Sequence, residues 1–485
     1  MAKSTPSKDD ARRFFDWGGR ESHDPSLVEF SPGAKARIAA GRSLRKDVPR
    51  GAHGKWRPDP HRPDPVSILG QQAASRVPDL IPIRHGRMLA SPFAFFRGAA
   101  AVMAWDLANT ATTKVRVQTC GDAHLVNFGA YAAPDRRLVF DLNDFDETLP
   151  APFEWDIKRL AASVEVAGRD NGFSQGDRAA AVRGSVVAYQ QAIGMLANLR
   201  FLDTWYTRID LEHIERLVKQ NSRPEGRKAT KREVRKALRK TSVGALTRFA
   251  EPNGDSFRIR EEPPLITRFD ESQFPNAEAI VQQGLRDYGQ TLSGDRQILL
   301  DRYRFVDFAR KVVGVGSVGT EAFMVLLMGD RSDDPLFLQI KEAQESVLAP
   351  YAGATAYTHE GERVVQGQRL MQAASDSFLG WFTGTGPKRR DFYVRQLRDM
   401  KGSAEVETMR EPRLKAYAEL CGATLARAHA RAGDAGVISG YVGDGDVLGD
   451  AIVQFASAYA DQNDEDHAAL LKAVESGRVS AELGV

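Results

Sequence analysis

Three glycines, Gly314, Gly316 and Gly319, stand in the run VVGVGSVGT with the spacing G-x-G-x-x-G, and the residues just after them decide which folds remain open. Glycines at these intervals let a backbone approach a phosphate closely, because no side chain intervenes. Such a turn fits a dinucleotide-binding βαβ unit when a helix comes next, with an acid about 20 residues on. It fits a phosphate-covering loop when a strand comes next, with a lysine at about that distance. Strand-forming Thr, Phe, Met, Val and Leu come after Gly319, and Lys341 lies 22 residues beyond it in LFLQIKEA. Glu342 is adjacent, so the acid criterion does not decide, whereas the strand context does. Gly314, Gly316, Ser317, Gly319 and Lys341 are therefore the expected phosphate-binding residues, with Lys341 pairing the α- and β-phosphates. The competing reading is a solvent-facing strand lysine, since Leu338 and Ile340 alternate with Gln339 and Lys341.

A second constellation lies far upstream. Asp122 is followed five positions later by Asn127, and Asp144 comes 17 residues after that, within FDLNDFDE. Phosphoryl transfer needs a carboxylate to orient or deprotonate the acceptor hydroxyl. It also needs an Asn and a second Asp to hold the metal ions that neutralise a triphosphate. The same five-residue spacing joins the catalytic-loop Asp and Asn of protein kinases, and their metal-binding Asp follows later. Asp122 is thus expected as the base, and Asn127, Asp144 and Asp146 as ligands for Mg²⁺, whose preference is for oxygen. Taken singly, these residues read as ordinary turns; jointly, between two strands, they read as a site. His124 with Asp122, Asp144 and Asp146 offers a different chemistry, metal-dependent hydrolysis.

Around these motifs the chain reads as α+β. Residues 1–80 are basic and rich in Pro and Gly, suggesting an irregular arm, with order expected from near Pro82. Residues 81–300 read as a helical catalytic lobe with the acidic hairpin. In it Ser91-Pro92 opens a helix to about Asn109, and Ile157, Leu160, Ala161 and Val164 share one helical face. Residues 301–400 read as a β-rich nucleotide-binding lobe, and 401–485 as C-terminal helices packing on the catalytic lobe. The expected fold is a protein-kinase-like pair of lobes, circularly permuted, because the glycine loop comes after the acidic loop instead of preceding it. A site needs its two halves together in space, not in chain order. Glu342, Glu345 and Glu362 are the acids expected to orient Lys341.

Composition narrows the function classes. The two cysteines, Cys120 and Cys421, cannot build a disulfide framework or a cysteine-rich zinc module, which suits a cytoplasmic home. No stretch of 18 uninterrupted apolar residues occurs, so no membrane partner is expected. A net charge of +3 does not by itself imply a polyanion, although residues 219–240 hold ten Lys or Arg.

The segment CGDAHLVNFGAYAAPDRRLVFDLNDFDETLPAPFEWDIKRLAAS resembles the catalytic region of aminoglycoside and choline phosphotransferases. Cys120 stands where the first His of their loop would, and Asp156 matches their structural Asp. From about residue 60 onward the chain is similar to a bacterial family, domain of unknown function 2252, through SPFAFFRG, GDAHLVNFG, FDLNDFDE, RKVVGVGSVGT, QGQRLMQAASD, FYVRQLRDMKG and LARAHARAGD. The resemblance implies a kinase-like fold without naming a substrate, and a Glu where Gln366 stands here. The leading expectation is an ATP- and Mg²⁺-dependent phosphotransferase acting on an unknown small-molecule or protein hydroxyl. Nucleotidyl (AMP) transfer and an ATP-binding pseudokinase are the alternatives in the same class. A basic nucleic-acid-binding protein, using the arm and residues 219–240, is the alternative outside it.

Overall fold

The computed structural model describes residues 33–212, 214, 241–269, 275–312, 314–385, 389–397 and 400–484. The basic stretch 219–240 lies outside them.

Helices begin where a polar side chain can take the first free backbone N–H groups. Asp64 caps α2 (Pro65–Ala73), which follows α1 (Ala34–Ser43). After α3 (Ile81–Leu89), Ser91 caps α4 (Pro92–Gly98) by accepting from Ala94 N at 3.1 Å, with Pro92 in the first turn. The expected single helix to Asn109 breaks at Ala99 and resumes as α5 (Ala100–Ala108). The Gly98 carbonyl at the break accepts from Arg84 at 2.9 Å.

Four short strands carry the acidic stretch. They are β1 (Arg116–Thr119), β2 (Phe128–Ala132), β3 (Leu138–Leu142) and β4 (Leu149–Pro152). β1 pairs with β4 and β2 with β3, both antiparallel. Of these, β2 and β4 carry no clear strand signal in sequence; Gly129 and the prolines of LPAP disguise them. Then come α6 (Phe153–Asp170) and α7 (Gln175–Leu196), the latter capped by Ser174.

A hairpin, β5 (Ala250–Asn253) and β6 (Ser256–Ile259), precedes a larger sheet. That sheet contains β7 (Ile266–Thr267), β8 (Arg304–Lys311), β9 (Ala322–Met328), β10 (Pro335–Ala343), β11 (Gly380–Gly384) and β12 (Arg390–Gln396). It is antiparallel throughout, in the order β11-β12-β10-β9-β8-β7. Every residue of β10 is buried. Tyr288, Phe378 and Phe382 belong to one apolar cluster around the sheet, and Ala245, Phe249 and Ile259 to another. α8 (Glu360–Met371) lies between β10 and β11 in sequence and packs on β12 and β11. A two-residue strand, β13 (Gly402–Ser403), joins the edge of β2.

The chain closes with α9 (Glu411–Ala432), α10 (Ala435–Val442) and α11 (Asp446–Glu475). α9 packs along α7, and α11 against both α6 and α7. The helical body is thus assembled from segments on both sides of the large sheet in sequence. The expectation of an irregular arm up to residue 80 is corrected for residues 34–80. Trp56 is buried with its ring 5.0 Å from that of Tyr459, and Arg62 bridges Asp106 at 2.7 Å and Asp466 at 2.6 Å. The prolines that suggest disorder in sequence start helices or shape a strap whose stability comes from contacts distant in sequence. Among the described residues, no helix is long and apolar enough to cross a membrane.

Candidate active site

The acidic loop leaves β1 through Gly121, whose φ of +82° suits glycine, and an added Cβ would lie 2.2 Å from the Glu147 carbonyl oxygen. Asp156 on α6 accepts from the backbone N–H of Cys120 at 2.7 Å and of Gly121 at 3.0 Å, and His429 on α9 contacts it at 3.2 Å. Ser163 accepts from Leu125 N, and Tyr417 donates to the carbonyls of Leu125 and Phe128. These buried anchors hold Asp122 at the mouth of the loop.

Asp122 pairs with Arg159 Nε at 2.7 Å, and that guanidinium stacks on Phe96 at 3.8 Å. Burial pushes the Asp122 carboxyl up; the Arg159 charge opposes it without cancelling it. The Asn127 amide donates to the Asp122 carbonyl at 2.7 Å, leaving its own side-chain oxygen as an acceptor. His124 accepts from Val126 N, and burial with the nearby Arg159 and Arg97 holds its imidazole well below the ordinary range, so it serves the loop as a neutral scaffold residue.

The sheet supplies the other half. The glycine loop joins β8 to β9, and Gly314 and Gly319 take φ values of +68° and +94°. At Gly319 a Cβ would also meet the Arg76 side chain at 3.0 Å. Lys341 sits on β10 opposite Tyr393 of β12 and is only 2% exposed, which removes the solvent-facing reading.

The two halves meet at Asp146. Its carboxylate accepts from Lys341 Nζ at 2.6 Å, from Ser317 Oγ at 3.0 Å and from the Tyr393 hydroxyl at 2.6 Å. Asp144 lies 3.8 Å from Lys341 and is about one-third exposed. Burial alone would lower the Lys341 ammonium, but Asp144 and Asp146 outweigh it and push the group above the usual lysine range. Burial likewise raises Asp146, and the Lys341 charge and hydrogen bond reverse this, holding it below the usual carboxylate range. Among the described residues, the ion pairs of Lys341 run to Asp144 and Asp146 and not to Glu342, Glu345 or Glu362. Glu342 instead accepts from Glu321 N and pairs with Arg390.

Several residues at this junction carry no motif. Tyr393 and Arg395 lie two apart on β12, opposite Lys341 and Gln339, so the alternation in FYVRQ is the signal that could find them. Arg363 on α8 donates to the carbonyls of Asp146, Thr148 and Gln344, tying the acidic stretch to the end of β10. Lys401 is pulled down to about 7 by the Arg395 charge and by burial, against the pull of Asp144.

Among the described residues, no three His, Cys, Asp or Glu side chains form a metal site by themselves. Oxygen donors suited to a hard divalent cation are offered by Asp144, Asn127 and Asp146, the last of which already accepts three hydrogen bonds. A pair of protein oxygens completed by phosphates is the usual arrangement for Mg²⁺. An open groove of about 900 Å³ lies elsewhere, lined by Gln72, Glu342, Gln344, Tyr351, Glu360 and Arg390 among others, without Lys341 or Asp144.

The family model described as an uncharacterized protein conserved in bacteria (DUF2252) matches residues 76–473, and the chain belongs to that family. Neither curated proteins nor solved structures gave a match.

Proposed function

We propose that this member of a family of uncharacterised bacterial proteins is a nucleotide-dependent phosphotransferase with a circularly permuted, kinase-like arrangement, acting on a hydroxyl acceptor. The observation that carries the reading is the junction at Asp146. Lys341 and Asp146, 195 residues apart in sequence, are 2.6 Å apart, and Ser317 of the glycine loop joins the same carboxylate. A lysine, a glycine loop and a group of carboxylates converging on one junction suit a bound triphosphate.

In this reading Lys341 binds the α- and β-phosphates, and the glycine loop covers them with its backbone N–H groups. Asp144 and Asn127 hold Mg²⁺, which supplies neutralisation of phosphate charge. Asp122 stands at the loop mouth, where it orients the acceptor hydroxyl and takes its proton. Asp146 fixes Lys341, the task an acid on a neighbouring helix was expected to perform. A second reading, nucleotide binding without turnover, draws on the 2.7 Å pair between Asp122 and Arg159, which satisfies the carboxylate that would act as base.

A thermal-shift screen of nucleotides with and without Mg²⁺, followed by product mass analysis on a metabolite pool, tests both. A product heavier by one phosphate supports phosphoryl transfer, and one heavier by AMP replaces it with nucleotidyl transfer. Asp144→Ala should abolish the Mg²⁺-dependent shift. Asp122→Asn should keep the shift and slow transfer by about 100-fold or more. A shift with no product in any pool leaves the binding-only reading, and no shift with any nucleotide overturns the proposal.

A further inference from the structure

Around the glycine loop the positive charges outrun the carboxylates available to pair with them. Arg76 donates from Nη1 to the Val318 carbonyl, and Val77 N donates to the Gly319 carbonyl at 2.7 Å, so this segment lies along the loop. The Arg97 carbonyl would be 3.3 Å from a Cβ on Gly316, at the middle of the loop. The Arg97 side chain reaches Glu407 at 3.4 Å and feels the charge of Asp122. Arg84, beside Arg76, is 1% exposed.

Buried nitrogens of all three lack a hydrogen-bond partner among the described residues: Arg76 Nε, Arg84 Nε and Nη1, and Arg97 Nε. Each guanidinium is bonded through another nitrogen, but a buried N–H left without a partner is costly, and planar N–H pairs match phosphate oxygens well. The neighbouring carboxylates are engaged elsewhere. Asp146 holds Lys341, Tyr393 and Ser317; Asp122 holds Arg159; Glu147 accepts from Val347 N; Glu342 pairs with Arg390. The part of Glu407 in this cluster is a single long contact to Arg97.

We propose that Arg76 and Arg97, backed by Arg84, form a polyphosphate subsite along the glycine loop, which grips the terminal phosphates of a nucleotide from the side opposite Lys341. The identity of the ligand rests on the nucleotide reading above, while the subsite itself rests on the arginines. Arg97 is the central residue, since it lies between Gly316 and Asp122. Its segment, PFAFFRG, is therefore part of the binding machinery and not only a packing element.

Isothermal titration of the full chain with inorganic tripolyphosphate, ATP and AMP separates the two ideas. Wild type should bind tripolyphosphate. Arg97→Gln should weaken tripolyphosphate and ATP by about 10-fold or more, the loss of one charged hydrogen-bonding group. AMP binding should change by less than about 2-fold, because AMP lacks the terminal phosphates. Glu407→Gln is the control for a structural role: it breaks the same ion pair but frees Arg97, so its tripolyphosphate affinity should hold or rise. Matching losses in Arg97→Gln and Glu407→Gln would overturn the subsite, as would wild-type affinity in Arg97→Gln or no tripolyphosphate binding by wild type. Tripolyphosphate binding without ATP binding would keep the subsite and remove the transferase reading. ATP binding that ignores Arg97 would do the reverse. Should Arg97→Gln not fold, Arg76→Gln carries the same test with the same outcomes.

Discussion

The acidic loop and the glycine loop meet where Ser317 donates to Asp146, yet they are held by opposite means. The acidic loop is pinned from beneath by side chains of three helical residues, the buried Asp156 and Ser163 and the half-buried Tyr417, each taking a backbone group of the loop. The glycine loop is touched mainly through its own backbone, by Arg76, Val77 and Arg87, and it reaches the carboxylates through Ser317. Val318 is its one fully buried apolar anchor among the described residues. The contrast teaches a division of labour. The carboxylates are built on a rigid frame, and the glycine loop is left few fixed points, as the proposed role of covering phosphates would require.

The strongest way to break this contrast is Asp156→Ala. It strips the hydrogen bonds from Cys120 N and Gly121 N and the contact with His429 in one step. Removing one partner of such a buried set should cost about 3–5 kcal/mol, read as a lower midpoint in urea unfolding. A loss within about 0.5 kcal/mol would show that the acidic loop does not depend on its frame. Ser317→Ala probes the other side. Its hydrogen bond to the Asp146 carboxylate should be worth about 1.5–3 kcal/mol, and hydrogen exchange should quicken in the glycine loop while the acidic loop stays protected. Equal quickening in both loops would mean that they move as one unit.

A third test returns to the helical side through its strap. Burial, with some help from Lys158, pulls the His53 imidazole down to about 3, and its Nε2 lies 2.7 Å from the Tyr441 hydroxyl. Between pH about 3 and 6.5 the unfolded chain carries this proton and the folded chain does not, so stability should rise with pH across that window. His53→Gln should remove that part of the slope. An unchanged slope would show that the strap opens before His53 titrates.

Much of the site is legible in sequence because its chemistry sits in short segments. The glycine spacing and the strands after it locate the glycine loop, and the run from Asp122 to Asp144 locates the acidic loop. The pairing between them stays hidden. In sequence Asp146 reads as a metal ligand beside Asp144, and nothing there shows that its carboxylate also holds Lys341, Tyr393 and Ser317. No pattern in sequence announces a partner 195 residues away. The three glutamates expected to orient Lys341 rest on proximity in sequence, a poor guide when the nearest carboxylate in space lies on another hairpin. The fold shows the same limit. Long helices such as α7 and α11 declare themselves, whereas residues 34–64 have no strong periodicity of their own and are ordered by Arg62, His53 and Trp56 reaching the far end of the chain.

That last arrangement constrains how the molecule comes into being. Arg62 closes on Asp466, and the acidic loop waits for Tyr417 and His429, so the first third of the polypeptide cannot settle until the last emerges from the ribosome. During synthesis the large sheet can form ahead of the body that frames the carboxylates. A nascent chain that has not yet added these helices thus presents the glycine loop without the framed carboxylates that meet it at Asp146.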